Sequence, residues 1–310
     1  MGSLVVFCSI IALCSALGGS LPAIVKLTHR RIQLALSFVS GVMLGVALLH
    51  LLPHAFYALN QQIELTLLVT LVGLLFMFFM VRMFHFHQHD LAVDKDHDHR
   101  QKELCDHGSN HHHPHCESHD GSLDLSWLGL CFGLAIHTLI DGIALAAAVL
   151  LETRVGFGAG GLGVFLAIVL HKPLDALSIT LLMAVRGWSS TRQIIVSLMF
   201  SLMCPLGALA FAMGINLAGE HSQWVLGIAL AFSAGIFLCI SLGDLLPEVH
   251  FHSHDRGILS VMLILGVTTA FCIELSHDHG LRKLLFPKPE VEQVEPAEVS
   301  SAASPSIPSP

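Results

Sequence analysis

Two pairs of residues in this 310-residue chain have the types and spacing of ligands. His137 and Asp141 stand four apart, and so do His171 and Asp175, in the segments His137-Thr138-Leu139-Ile140-Asp141-Gly142 and His171-Lys172-Pro173-Leu174-Asp175-Ala176. On a helix, positions i and i+4 lie one turn apart on the same face, so each segment offers an imidazole beside a carboxylate. If the two helices face one another, two ring nitrogens and two carboxylates converge. Such a donor set suits zinc or another divalent first-row metal, and two carboxylates neutralise a dication. Both pairs are embedded in apolar sequence, where an Asp at a helix centre costs at least ~2.5 kcal/mol to insert in a bilayer. The bland alternative, hydrogen-bonding glue between helices or a Lys172–Asp ion pair, leaves the repeated spacing unexplained. Beside the pairs, Pro173 has no N–H for the carbonyl of Val169, and a break there would free a backbone oxygen. Gly142 would let a neighbouring helix approach closely.

The elements that must position these groups follow from composition. The chain is 54% hydrophobic and 12% charged, with a mean hydropathy of +0.71, too apolar for a soluble globule of this length. Apolar runs fall near residues 3–25, 33–59, 63–84, 125–150, 156–185, 192–215, 223–249 and 258–275. Each is about the 20 residues that a spanning helix needs. The expected fold is therefore an all-α integral membrane protein of eight transmembrane helices. The first run lacks a basic leader segment and is read as a retained span. Loops after spans one, three, five and seven, with their flanks, carry ten Lys and Arg, from Lys26 to Arg256, whereas the other face carries Arg154, Arg282, Lys283 and Lys288. The positive-inside rule then makes the odd-numbered loops cytosolic and both termini non-cytosolic. A net charge of −8 argues against a nucleic-acid partner. Cys8, Cys14, Cys131, Cys204, Cys239 and Cys272 lie in apolar runs and read as small hydrophobes; Cys105 and Cys116 sit in polar sequence, and no disulfide framework is suggested.

The spans are organised by an internal repeat. Ser40-Gly41-Val42-Met43-Leu44 to His50-Leu51-Leu52-Pro53-His54 aligns at an offset of 194 with Ala234-Gly235-Ile236-Phe237-Leu238 to Asp244-Leu245-Leu246-Pro247-Glu248. If span two matches span seven, the equivalent copies run oppositely through the bilayer, a 3+2+3 plan with inverted repeats of the kind seen in secondary transporters. His50, His54, Asp244 and Glu248 straddle the two prolines at i, i+4 spacing and are candidate ligands on a pathway flanking the central site, or polar helix ends at the water interface. His250, His252, His254, His277 and His279 at membrane edges read as solvated termini.

Four segments result: spans one to three over 1–84, a loop over 85–122, spans four to eight over 123–280 and a tail over 281–310. The loop holds 11 of the 22 histidines and eight acidic residues, including His97, His99, His111, His112, His113 and His115. It cannot make a core and is expected to be disordered, buffering metal weakly without a folded zinc site. The tail has six prolines and five serines from Pro287 to Pro310 and is expected to be extended.

These features resemble the ZIP (zinc- and iron-regulated transporter-like) family of divalent metal transporters over roughly residues 3 to 280. The resemblance rests on His137, Asp141 and Gly142 in span four, His171, Pro173 and Asp175 in span five, the LLP-containing spans two and seven, and the His-rich loop. It implies a transport site between spans four and five that passes metal into the cytosol, with Zn2+ as cargo and Fe2+, Mn2+ or Cd2+ as alternatives, eight spans with both termini outside, and homodimers. Members with two adjacent metal sites often carry Asn where Thr138 stands and an acidic residue where Lys172 stands. An ammonium would occupy the place of the second ion, so a single-metal site of His137, Asp141, His171 and Asp175 is expected, with Lys172 as a tethered cation near Asp141, Asp175 or Asp244. A cation-diffusion exporter fits less well, since it has six spans and a folded domain after them. The rival from another class is an intramembrane zinc-dependent hydrolase or a related receptor, with an open water position on the zinc. No retention or transit signal is seen, which tilts the expectation toward the plasma membrane over an internal one.

Overall fold

The computed structural model describes residues 2–24, 29–84, 122–155, 161–251 and 256–277, with side chains masked at several helix ends, 244–251 among them. Among the described residues there are only helices and short turns. In chain order these are α1 (Gly2–Ile24), α2 (His29–Val46), a π-helical turn (Ala47–Leu51), α3 (Leu52–Ala58), α4 (Ile63–Phe84), α5 (Ser122–Val155), α6 (Leu162–Val185), α7 (Ser190–Ser201), α8 (Met203–Gly214), a 3-10 turn (Ile215–His221), α9 (Ser222–Phe251) and α10 (Arg256–His277). The loop residues His97, His99, His111, His112, His113 and His115, the tail, and the side chains of Asp244 and Glu248 lie outside the described residues.

Seven helical stretches are long and apolar enough to cross a membrane. Helices that must satisfy every backbone group internally are the form such sequence takes in lipid. Their outward faces are apolar, as with Leu67, Leu68, Leu71 and Val72 on α4 and Val261, Ile264 and Leu265 on α10, all at least half exposed. One stretch, Ser190–Gly243, runs 54 residues but is not one rod. α7 gives way to α8 at Leu202, just before Pro205, and the 3-10 turn contains Gly219 at φ 51°, ψ −122°, a conformation that glycine adopts without a Cβ clash.

Glycines decide how the helices cross. A Cβ on Gly41 would strike the carbonyl of Leu263 on α10, and one on Gly266 would strike the carbonyl of Phe38 on α2. A Cβ on Gly235 would strike the carbonyl of Thr70 on α4, and one on Gly73 the carbonyl of Phe232 on α9. Phe38 and Phe232, like Gly41 and Gly235, are 194 residues apart, which is the offset read in the sequence. The repeat is therefore physical: the same positions of α2 and α9 press backbone to backbone against their partners, as small-residue crossings do in membranes. The other two extensive pairings are α5 with α8 and α1 with α6. Gly142 and Gly207 abut the carbonyls of Cys204 and Leu139 at the first crossing, and Gly18 abuts Pro173 at the second.

Two local details depart from a plain helical reading. α6 runs unbroken through Pro173, so the expected break beside the ligands is absent; the backbone and Cβ of the proline are instead where α1 packs through Gly18. In the second span, a π turn precedes Pro53. The N–H of Leu52 reaches back to the carbonyl of Ala47, so the widened turn absorbs the donor that Pro53 lacks. That turn carries His50.

Candidate functional site

α5 and α6 bring the four sequence-predicted side chains together. His171 Nε2 lies 3.2 Å from Asp141 Oδ2 and 3.8 Å from Asp175 Oδ2, while His137 Nε2 lies 3.4 Å and 3.8 Å from the same two atoms. The two imidazoles stack at 5.5 Å between centroids. The i, i+4 spacing places each pair on one helix face, and the crossing of the helices brings the faces together. His171 donates its Nδ1–H to the carbonyl of Ala167 at 2.7 Å, and a carbonyl can only accept. That bond fixes the tautomer and leaves Nε2 as the nitrogen turned to the carboxylates. His137 Nδ1 and Asp141 Oδ1 are buried with no hydrogen-bond partner. His137, His171 and Asp175 each offer an atom within 4.8 Å of the others. Asp175, 18% exposed, is the most open member, against 0 to 5% for the rest.

Lys172 changes the charge of this centre. Its fully buried Nζ sits 2.5 Å from Asp141 Oδ2 and 3.0 Å from Asp175 Oδ2. It also donates to Thr138 Oγ1 at 3.1 Å and lies 5.8 Å from the centroid of the Phe200 ring, within cation–π range. Of the acidic neighbours considered for it, Asp141 and Asp175 meet it; the side chain of Asp244 lies outside the described residues. Two carboxylates and one ammonium leave the site with one net negative charge, not the two that the sequence pairs alone suggested.

His50 and His54 belong to a second buried cluster whose acidic members the sequence reading did not name. His50 lies between Glu152 of α5, with Nε2 to Oε1 at 2.9 Å, and Glu274 of α10, with Nδ1 to Oε2 at 2.7 Å. The ring of His54 is 4.4 Å from that of His50. One sequence signal could have found Glu152. It follows Asp141 by 11 residues, about three full turns, and therefore shares the face of α5 that carries the central site.

A family profile described as ZIP Zinc transporter matches residues 2–274. The chain belongs to the ZIP zinc transporter family. Among curated relatives, it is 26% identical to zinc transporter ZIP9-A of Xenopus laevis over 84% of this chain and 93% of that protein. It is 29% identical to ZIP9-B of the same species over 56% of this chain. It is 26% identical to zinc transporter ZIP4 of Homo sapiens over 77% of this chain and 44% of that one. The match with ZIP9-B spans 60% of that protein's length. Membership in a ZIP family of membrane transporters sets aside the hydrolase reading: the relatives are named as transporters, not enzymes.

Proposed function

We propose that this ZIP-family protein carries zinc through the membrane into the cytosol and that His137, Asp141, His171 and Asp175 hold the ion midway. The observation that carries the proposal is the convergence of two imidazole Nε2 atoms on two carboxylates within 3.8 Å, between helices apolar over most of their length. Neutral imidazole and ionised carboxylate are the ligating forms, and together they make a borderline N/O site suited to Zn2+, with Fe2+, Mn2+ and Cd2+ as other cargo.

Lys172 makes this a one-ion site. Its ammonium stands against both carboxylates when no metal is present, so a dication entering between the pairs takes over the counter-charge role and Lys172 turns toward Thr138 and Phe200. A second ion would have to occupy the volume of that ammonium.

The helix pairings support eight crossings. Along α2 and α10, Ser37 meets Leu259, Gly45 meets Ala270 and His50 meets Glu274, so the two run parallel. Parallel spans need an odd number of crossings between them, which the chain supplies only if Ser190–Gly243 crosses twice, once as α7 with α8 and once as α9. With the positive-inside bias, both termini then lie on the non-cytosolic face. The pairs α2–α10 and α4–α9 form one body, and α1–α6 with α5–α8 form the body that holds the ion; rocking of the second against the first would alternate access.

Radiolabelled zinc uptake into proteoliposomes tests this. Wild type should accumulate zinc, while His137→Ala and Asp175→Ala should fail although folded. Stoichiometric zinc binding without any uptake by the wild type would overturn the transport reading.

A further inference from the structure

The cluster around His50 is built like a metal site in its own right. Glu274 is a carboxylate and can only accept, so the 2.7 Å contact is His50 Nδ1–H donating to it. That bond orients the ring and turns Nε2 toward Glu152. Nε2 and Glu152 Oε1 face each other at 2.9 Å, and both atoms are buried with no further partner. His54 is oriented the same way: its Nδ1–H goes to the carbonyl of His50 at 2.7 Å, so the nitrogen it presents to a metal is Nε2. His50, His54 and Glu152 each offer an atom within 4.8 Å of the others. His50, Glu152 and Glu274 are at most 5% exposed. A carboxylate behind an imidazole, with the far nitrogen left to face the ion, is how histidine ligands are held at metal centres.

We propose that His50, His54 and Glu152 form a second divalent-cation site, with Glu274 as a positioning residue that holds the His50 ring. It lies on the same face of α5 as Asp141, about 16 Å away by helical rise, where the C-terminal ends of α5 and α10 meet the second span. The π turn before Pro53 sets the direction of His50 into it. The site joins the two helix bodies, since His50 and Glu274 come from one and Glu152 from the other. Its role as a staging point on the way to the central site rests on the transport reading above; cation binding itself does not.

The test is a Co2+ titration of the purified full chain in detergent, read by the visible ligand-field bands. The His137→Ala/Asp175→Ala protein, which lacks two central ligands, should still take up one Co2+ with a low-coordinate spectrum. Adding Glu152→Gln should abolish that step. Weak binding by the His-rich loop is common to both proteins and cancels in the difference. Placing His54→Cys on the same background should add a sulfur-to-cobalt charge-transfer band, a gain of signal that a misfolded variant would not give. Glu274→Ala should weaken the step about 10- to 100-fold, and Glu274→Gln, whose amide oxygen still accepts the Nδ1–H, should restore most of it. Identical titrations with and without Glu152→Gln, or no new band from His54→Cys, would overturn the site. A wild type that binds Co2+ in both places but moves no zinc would instead refute the transport reading and leave this site standing.

Discussion

Lys172 is the residue on which the central site turns. A fully buried ammonium between two carboxylates is costly to separate from them, because removing one partner leaves uncompensated charge. Lys172→Gln should therefore lower the thermal stability of the metal-free protein, by an amount on the order of 3 kcal/mol, and zinc should restore more stability to the variant than to the wild type. Thermal melts in chelator and in excess zinc check this; equal zinc-induced shifts would mean that the ammonium is not exchanging with the ion. The imidazoles set the pH dependence. Protonation of His137 or His171 at Nε2 removes a ligand, so protons compete with zinc and affinity is greatest where both rings are neutral. The KM for zinc uptake should rise as the medium is acidified. A flat KM profile would remove the histidines from the ion's coordination. The two His–Asp pairs were legible because four-residue spacing on a helix is a local property. The Lys172 contacts were legible only as alternatives, since choosing among Asp141, Asp175 and Asp244 requires knowing how α5 and α6 cross.

At the scale of elements, the glycine crossings do the positioning. Gly142 lets α5 lie against the backbone of α8 at Cys204, one residue from Asp141. A leucine there forces the two helices apart and should cost roughly 1–3 kcal/mol through overpacking, with loss of uptake because Asp141 moves with the helix. The repeat makes a sharper forecast. Gly41→Val and Gly235→Val occupy equivalent crossings, so their destabilisations, measured as melting shifts in the same detergent, should be alike; a silent substitution at one position would show that the two crossings bear load differently. The sequence displayed the offset of 194 through Gly and Leu-Leu-Pro but not the partners, because α2 packs on α10 and α9 on α4, and those contacts are hundreds of residues apart. The same distance hid Glu152 and Glu274. The carboxylates that meet His50 come from α5 and α10, while the side chains of Asp244 and Glu248 lie outside the described residues. The π turn had one visible cause, Pro53, and the way it turns His50 is a matter of backbone geometry with no signature in residue type.

For the whole molecule, hydropathy and charge were enough to indicate membrane helices because burial in lipid is a property of composition, and span boundaries near 3–25, 63–84 and 258–275 fall close to α1, α4 and α10. The sixth and seventh apolar runs separate at the polar residues of the 3-10 turn, Asn216, Glu220 and His221. Epitope tags at the two ends provide the topological check: in intact cells both should be reached by antibody without permeabilisation, and access to one end alone would contradict eight crossings. The histidine loop makes a separate forecast. Deleting residues 90–119 should shift the zinc concentration at which uptake responds more than it lowers the maximal rate; abolished uptake would place the loop on the pathway itself.

The four extensive pairings, α1 with α6, α2 with α10, α4 with α9 and α5 with α8, share one property. Each joins a helix from before residue 156 to one from after residue 161. Neither half has its principal partner within itself. A ribosome delivering this chain into a membrane thus releases four spans before their principal partners arrive. The four spans of the first half wait for the second half, and the central pair of ligands on α5 is met by its counterpart as soon as α6 follows.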